Sequence, residues 1–78
     1  MPTAQDILKE IAEQLTLNPE DLDRHALLRE DLNLGIIEQN DLLNNLSLKF
    51  DITLRAEDVE KLESVDDLVV LIEDNLIG

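Results

Sequence analysis

The chain has no cysteine, tryptophan or tyrosine, and Phe50 is its only aromatic residue. The absence of cysteine excludes a disulfide framework, thiolate zinc ligands and a catalytic thiol. Because 44% of the residues are hydrophobic, a core can still form, and it must be aliphatic, built chiefly from leucine and isoleucine. With 78 residues, we expect one domain over 1–78, near the size at which a single core only just outweighs chain entropy.

Basic residues are also scarce. Six lysines and arginines face nineteen aspartates and glutamates, which gives a formal net charge of -13. This charge repels nucleic acid phosphates and anionic lipid head groups, so we expect neither nucleic acid nor membrane partners. It favours protein partners with basic surfaces. The alternative is that acidity only keeps a small protein soluble.

No apolar run approaches the length that a membrane span requires. The first residues, Met1 to Thr3, show no basic segment followed by an apolar stretch, as a secretory signal would. We therefore expect a soluble, cytoplasmic monomer.

Hydrophobic spacing predicts helices in four places. Thr3 with Asp6 forms a capping-box pattern before a helical apolar repeat that continues to Leu15, and residues 18–21 then form a turn around a proline. A long connection over 22–35 is rich in leucine, so we expect it to pack on the helices. A second helix is predicted over 36–50, with an inward stripe comprising Ile37, Leu42, Leu43, Leu46 and Phe50.

A short third helix is predicted over 56–62. Ser64 with Asp67 repeats the capping-box pattern before a fourth apolar repeat that continues to Leu76. The sequence thus predicts an all-α fold: a four-helix bundle with a long loop between helices one and two and a short third helix.

This order of elements resembles the acyl or peptidyl carrier protein family along nearly the whole chain. The segments that carry the resemblance are 17–22 after helix one, 30–32 before helix two, 49–52 at its end, 56–61 in helix three, and 64–68 at the start of helix four. The resemblance implies the carrier-protein fold. In that family, a D-L-G-x-D-S-L stretch opens helix two, and its serine carries 4'-phosphopantetheine as a phosphodiester.

The departures fall at that attachment point. Ile36 occupies the position of the modified serine, preceded by Gly35 in place of an acidic residue and followed by Ile37. Since isoleucine has no oxygen to phosphorylate, we expect no cofactor here. We interpret Gly35 as allowing a positive φ before the helix. Ile36 either folds onto Leu32 or Leu34, the simpler expectation, or forms an apolar contact point with Ile37.

The resemblance also implies a partner surface, because family members present carboxylates along helix two to basic grooves of their enzymes. Glu38 and Asp41 match that pattern, whereas Asn44 and Ser47 are neutral. The predicted partner is therefore a carrier-binding enzyme or regulatory protein with a basic surface. The predicted contact residues are Ile36, Ile37, Glu38 and Asp41.

One helix-two residue departs from the family's apolar pattern. Asn40 takes a usually apolar position, so it must be hydrogen-bonded or loosen the helix.

The sequence contains no recognisable catalytic, metal-binding or alternative attachment site. His25 is the only histidine and has no nucleophile arrangement around it, so we expect no enzyme activity. The Asp31 to Gly35 segment resembles the start of a calcium loop, but its glycine and its twelfth residue, Leu42, break the spacing, so no specific metal site is expected. Three other hydroxyls, those of Ser47, Thr53 and Ser64, lack the setting of an attachment site.

The sequence therefore predicts a non-catalytic, carrier-like domain without an attachment site, acting through protein contacts in or near a fatty-acid, polyketide or other acyl-transfer system. One alternative is a true acyl carrier whose natural serine-containing triplet has been altered, which requires changes at both Gly35 and Ile36. Another is an unrelated acidic bundle that acts as an inhibitor or nucleic-acid mimic.

Overall fold

A computed structural model describes residues 2–77, for Ile77 its backbone alone. Its elements are α1 (Ala4–Gln14), a short 3-10 turn (Pro19–Asp21), α2 (Ile36–Phe50), α3 (Ala56–Val59) and α4 (Val65–Ile77). Within the described part of the chain, extended pairing is limited to one isolated bridge between Leu27 and Ser64. The predicted all-α architecture, with a long loop between α1 and α2, is confirmed.

Both predicted capping boxes are present. The Thr3 hydroxyl accepts from the Asp6 backbone N–H at 3.2 Å, while the Asp6 carboxylate accepts from the Thr3 N–H at 2.9 Å. Ser64 and Asp67 repeat this exchange before α4, with both distances at 3.1 Å. Each pair satisfies backbone N–H donors that a helix N-terminus without a cap would leave unpaired.

The third helix is shorter than predicted, since α3 ends at Val59 rather than at residue 62. The N–H groups of Lys61 and Leu62 donate to the carbonyls three residues earlier, those of Asp58 and Val59. Such bonds tighten the chain into a turn, and this turn leads to the half-buried Leu62, which packs against the core. The apolar residue that suggested a longer helix thus belongs to the turn that follows it.

The C-terminus of α1 contains a strained residue. Thr16 has a φ of 61°, in the left-handed region. Its N–H donates to Glu13 at 3.2 Å, and the N–H of Leu17 donates to Ala12 at 2.8 Å. These bonds form a Schellman motif, in which glycine usually occupies the left-handed position. A threonine there costs about 1–2 kcal/mol.

The core lies between α1, α2 and α4, and the long connection covers it. Three leucines of that connection are buried, which confirms that it packs on the bundle. Every buried side chain in the described residues is hydrophobic: Ile7, Leu8, Ile11, Ala12, Leu22, Leu28, Leu34, Leu42, Leu43, Leu46, Val65, Leu68, Val69 and Ile72.

The inward face of α2 differs from the prediction at one position. Leu42, Leu43 and Leu46 are buried and Phe50 packs at the core's edge, whereas Ile37 is 71% exposed. Placing Ile37 in the inward stripe was wrong. Nine residues separate it from Leu46, and at about 100° per residue the two side chains lie on opposite sides of the helix.

Asn40 also lies at the surface. Its amide therefore remains accessible to water and needs no buried partner.

The connection before α2 is joined to the turn before α4 and to the first residues of α4. The N–H of Leu28 donates to the carbonyl of Glu63 at 2.8 Å, and the N–H of Val65 donates to Ala26 at 2.9 Å. The Arg24 guanidinium pairs with the Asp66 carboxylate, and the Asp66 N–H donates to the Arg24 carbonyl at 2.8 Å. These contacts fix the connection that leads to α2.

Candidate partner-binding surface on the second helix

The start of α2 is positioned by the last residues of the connection. Leu34 is buried in the core, and Asn33 before it adopts a left-handed φ of 61°. Asparagine tolerates this conformation better than most residues. Gly35 has a φ of -77° and an extended backbone, so the expected positive φ at Gly35 was wrong. The left-handed turn is made two residues earlier.

Gly35 instead allows a close approach by a carboxylate. Its N–H donates to Oε1 of Glu38 at 2.8 Å, which satisfies one free donor at the helix start. A Cβ at position 35 would overlap this oxygen. The negative charge of Glu38 also interacts favourably with the positive end of the helix dipole. Glycine at this position is explained by steric space rather than by backbone φ.

The two isoleucines after Gly35 are at the surface. Ile36 is 70% exposed and Ile37 is 71% exposed. The expectation that Ile36 folds onto Leu32 or Leu34 was therefore wrong. Because Leu34 already occupies the core at this point, the following residues begin the helix outside it. Ile36 and Arg29 both line a shallow depression beside the start of α2.

The four predicted contact residues lie together in the first two turns of α2. Ile36, Ile37, Glu38 and Asp41 are all exposed. Asp41 follows Ile37 by four residues, which places it one turn further along the same face. Glu38 and Asp41 also line a depression against α1. The result is an exposed apolar pair beside two exposed carboxylates.

Leu48 is a surface feature that the sequence analysis did not identify. It is 82% exposed, more than any other exposed large hydrophobic residue in the described part of the chain. Its spacing from Ile37 contained the signal, since eleven residues make about three helical turns. The apolar surface of α2 therefore extends beyond its first turns.

Two of the other hydroxyl groups are already engaged within the fold. Ser47 donates to the Leu43 carbonyl at 2.8 Å, and Ser64 caps α4. Thr53 is exposed in the coil between α2 and α3. None of these three residues lies at the entrance of α2.

His25 and the acidic side chains form no recognisable reactive or metal centre in the described residues. His25 is exposed, and its backbone N–H donates to the Asp23 carboxylate at 2.8 Å. Among residues 2–77, no three histidine or acidic side chains gather where they could hold a metal ion. No helix in this range is long and apolar enough to cross a membrane.

No protein-family model matches the chain. Individual relatives do. The acyl carrier protein of Wolinella succinogenes is 35% identical over 96% of this chain and 99% of its own length. Those of an Exiguobacterium species and of Helicobacter hepaticus are 34% and 31% identical, over 91% and 96% of this chain and over 90% and 99% of their own lengths. Identity at this level, spread over the whole fold, shows that the chain belongs to the acyl carrier protein family.

Proposed function

We propose that this protein is a non-catalytic member of the acyl carrier protein family that bears no 4'-phosphopantetheine and acts in the cytoplasm through protein contacts. Its setting is a fatty-acid, polyketide or related acyl-transfer system. One observation carries the proposal: the exposed Ile36–Ile37 pair at the start of α2, where the family's modified serine would lie. An intact fold that exposes hydrocarbon side chains at that point favours a role in binding proteins over a role in carrying acyl groups.

The residues at this point do not fit the prosthetic group. A phosphodiester requires a side-chain oxygen, and Ile36 offers only carbon atoms. The neighbouring backbone N–H of Gly35 is already paired with Glu38. Ser47 and Ser64 are engaged in their own helices. The proposed function therefore depends on the surface of α2 and on no covalent step.

Binding would draw on two contributions. Covering Ile36 and Ile37 removes apolar surface from water, at roughly 25 cal/mol for each Å² buried. Glu38 and Asp41 would pair with lysine or arginine side chains of the partner. The net charge of -13 adds long-range attraction toward a basic surface, which accelerates encounter and weakens as salt is added.

The attachment part of the proposal is tested with a promiscuous phosphopantetheinyl transferase and coenzyme A. The full chain and an ordinary acyl carrier protein are incubated in parallel, and intact masses are recorded. We expect complete modification of the ordinary carrier and none of this chain. A stoichiometric adduct on this chain would refute the proposal and identify it as a working carrier with another attachment residue.

The contact part is tested by reversing charge. The full chain is immobilised to isolate a partner from extracts of its source cells, and the purified partner is titrated against the variants. We expect Glu38→Lys with Asp41→Lys to weaken affinity about tenfold or more, since two favourable contacts become repulsive. The matched control is Glu20→Lys with Asp74→Lys, exposed residues outside α2, which makes the same change in net charge. Equal losses in both variants would refute a specific α2 interface.

The end-to-end match to acyl carrier proteins favours a second candidate, a true carrier whose attachment triplet has been altered. It differs from the first only in whether Gly35 and Ile36 are the natural residues. The alternative of an unrelated acidic bundle loses its basis, because the chain belongs to the acyl carrier protein family.

A further inference from the structure

Leu48 is an exposed hydrophobic residue that the contact surface proposed above does not include. It is 82% exposed, although α2 buries three other leucines nearby. It follows Ile37 by eleven residues, about 16 Å along the axis and within about 20° around it. Ile37 and Leu48 therefore point to the same side, away from the core.

Polarity changes between these two hydrophobic residues. Asp41 lies one turn after Ile37 and carries a charge, whereas Asn44, almost one turn further, is neutral. Lys49 follows Leu48 and is exposed, with Nζ 3.8 Å from Oε1 of Glu10 on α1. The outward face of α2 thus begins apolar and acidic, whereas at its end Lys49, beside Leu48, is paired with Glu10 of α1.

We infer that Leu48 is a second hydrophobic anchor for the same protein partner, an inference that rests on the proposed function. The partner would present an elongated surface with three parts. A hydrophobic pocket receives Ile36 and Ile37, cationic side chains face Glu38 and Asp41, and a second hydrophobic pocket receives Leu48 about 16 Å away. The second pocket contains no lysine or arginine, because Leu48 has no charge to pair with them.

A second copy of the chain is the competing occupant. Antiparallel pairing of two α2 helices would bring Ile37 of one copy onto Leu48 of the other and Asp41 onto Asn44. The charges oppose it, because two chains of net charge -13 repel each other. A partner with cationic side chains between its pockets matches the same face without that repulsion.

The test compares substitutions at Leu48 with one at an exposed valine of α4. Leu48→Ala, Leu48→Lys and Leu48→Glu are titrated against the partner purified on the immobilised full chain, with Val70→Ala as control. Since a buried anchor dominates affinity, we expect all three Leu48 variants to raise Kd about tenfold or more and Val70→Ala to leave it unchanged. Circular dichroism melts should coincide with those of the unsubstituted chain, because Leu48 contributes little to the core.

The outcomes separate this inference from the function on which it rests. If Glu38→Lys with Asp41→Lys abolishes binding while the Leu48 variants bind normally, the second anchor is wrong and the proposed function stands. If neither set affects binding, the proposed function and the inference both fail. Tighter binding by Leu48→Glu would show a basic pocket and overturn the inference. A dimer in sedimentation that Leu48→Glu dissociates would identify a second copy as the occupant and also overturn it.

Discussion

Restoring the attachment residues tests whether the chain differs from a carrier only at the start of α2. The double variant Gly35→Asp with Ile36→Ser places an acidic residue and a serine where the family has them. The backbone there is already regular, with Gly35 extended and Ile36 as the first residue of the helix. We expect this variant to fold and to accept 4'-phosphopantetheine from a promiscuous transferase.

The cost in stability can be worked out from the surroundings of the two residues. Ile36 is 70% exposed, so replacing it removes less than a third of a full isoleucine burial, about 0.5–1 kcal/mol. A Cβ at position 35 displaces the Glu38 carboxylate and so loses a hydrogen bond of about 1 kcal/mol. Aspartate at the N-cap position recovers roughly a few tenths of a kcal/mol of stability relative to glycine.

The double variant should therefore lose about 1–2 kcal/mol, the sum of these effects. A chain of this length has roughly 4–12 kcal/mol of stability, so most molecules remain folded. The corresponding fall in Tm is about 5–15 °C, which circular dichroism measures directly.

The assay compares intact masses after incubation with coenzyme A and the transferase. The matched control is Gly35→Asp with Ile37→Ser, which has the same composition and replaces an isoleucine of nearly equal exposure. We expect an adduct on the serine at position 36 and none on the serine at position 37. If the first variant has a native melting profile and stays unmodified, more than a hydroxyl separates this chain from a carrier, and the reasoning fails.

Three further predictions concern stability. Thr16→Gly relieves the left-handed strain and should raise stability by about 0.5–1 kcal/mol in urea unfolding, with exposed Thr53→Gly giving no such gain. The hydrogen bonds from Thr3 hold the pKa of Asp6 below its ordinary value of 3.8. The unsubstituted chain should therefore unfold at higher urea than Asp6→Asn at pH 7, and this difference should be lost as the pH falls through the lowered pKa. Finally, a net charge of -13 should make Tm rise between low and moderate salt, and a flat melting series would contradict this self-repulsion.

The features predicted correctly from sequence depend on neighbouring residues. Each capping box pairs residues three apart, Thr3 with Asp6 and Ser64 with Asp67, so the pattern contains both partners. Helical repeats likewise identify α1, α2 and α4, because apolar spacing and helical rotation share one period. The four proposed contact residues of α2 lie close together because they are consecutive or one turn apart, and their role in binding stays a prediction.

The errors involve how an element faces the rest of the molecule. Apolar character placed Ile37 in the core, although its angle to Leu46 puts it on the outward side. Gly35 was assigned the left-handed conformation that Asn33 adopts, because local sequence does not show which residue absorbs a turn. The Arg24–Asp66 pair joins residues 42 positions apart, and no local pattern indicates such a contact.

The hydrogen bonds that join the long connection to the start of α4 and the turn before it have a consequence for folding kinetics. They join residues about 40 positions apart, and closing a loop of that length costs about 3 kcal/mol of chain entropy. Local helix formation carries no such cost, so the connection should dock after the helices have formed. The amide protons of Leu28, Val65 and Asp66 then report the last step of folding. In native-state hydrogen exchange they should open together, ahead of the amides in the middle of α1 and α4.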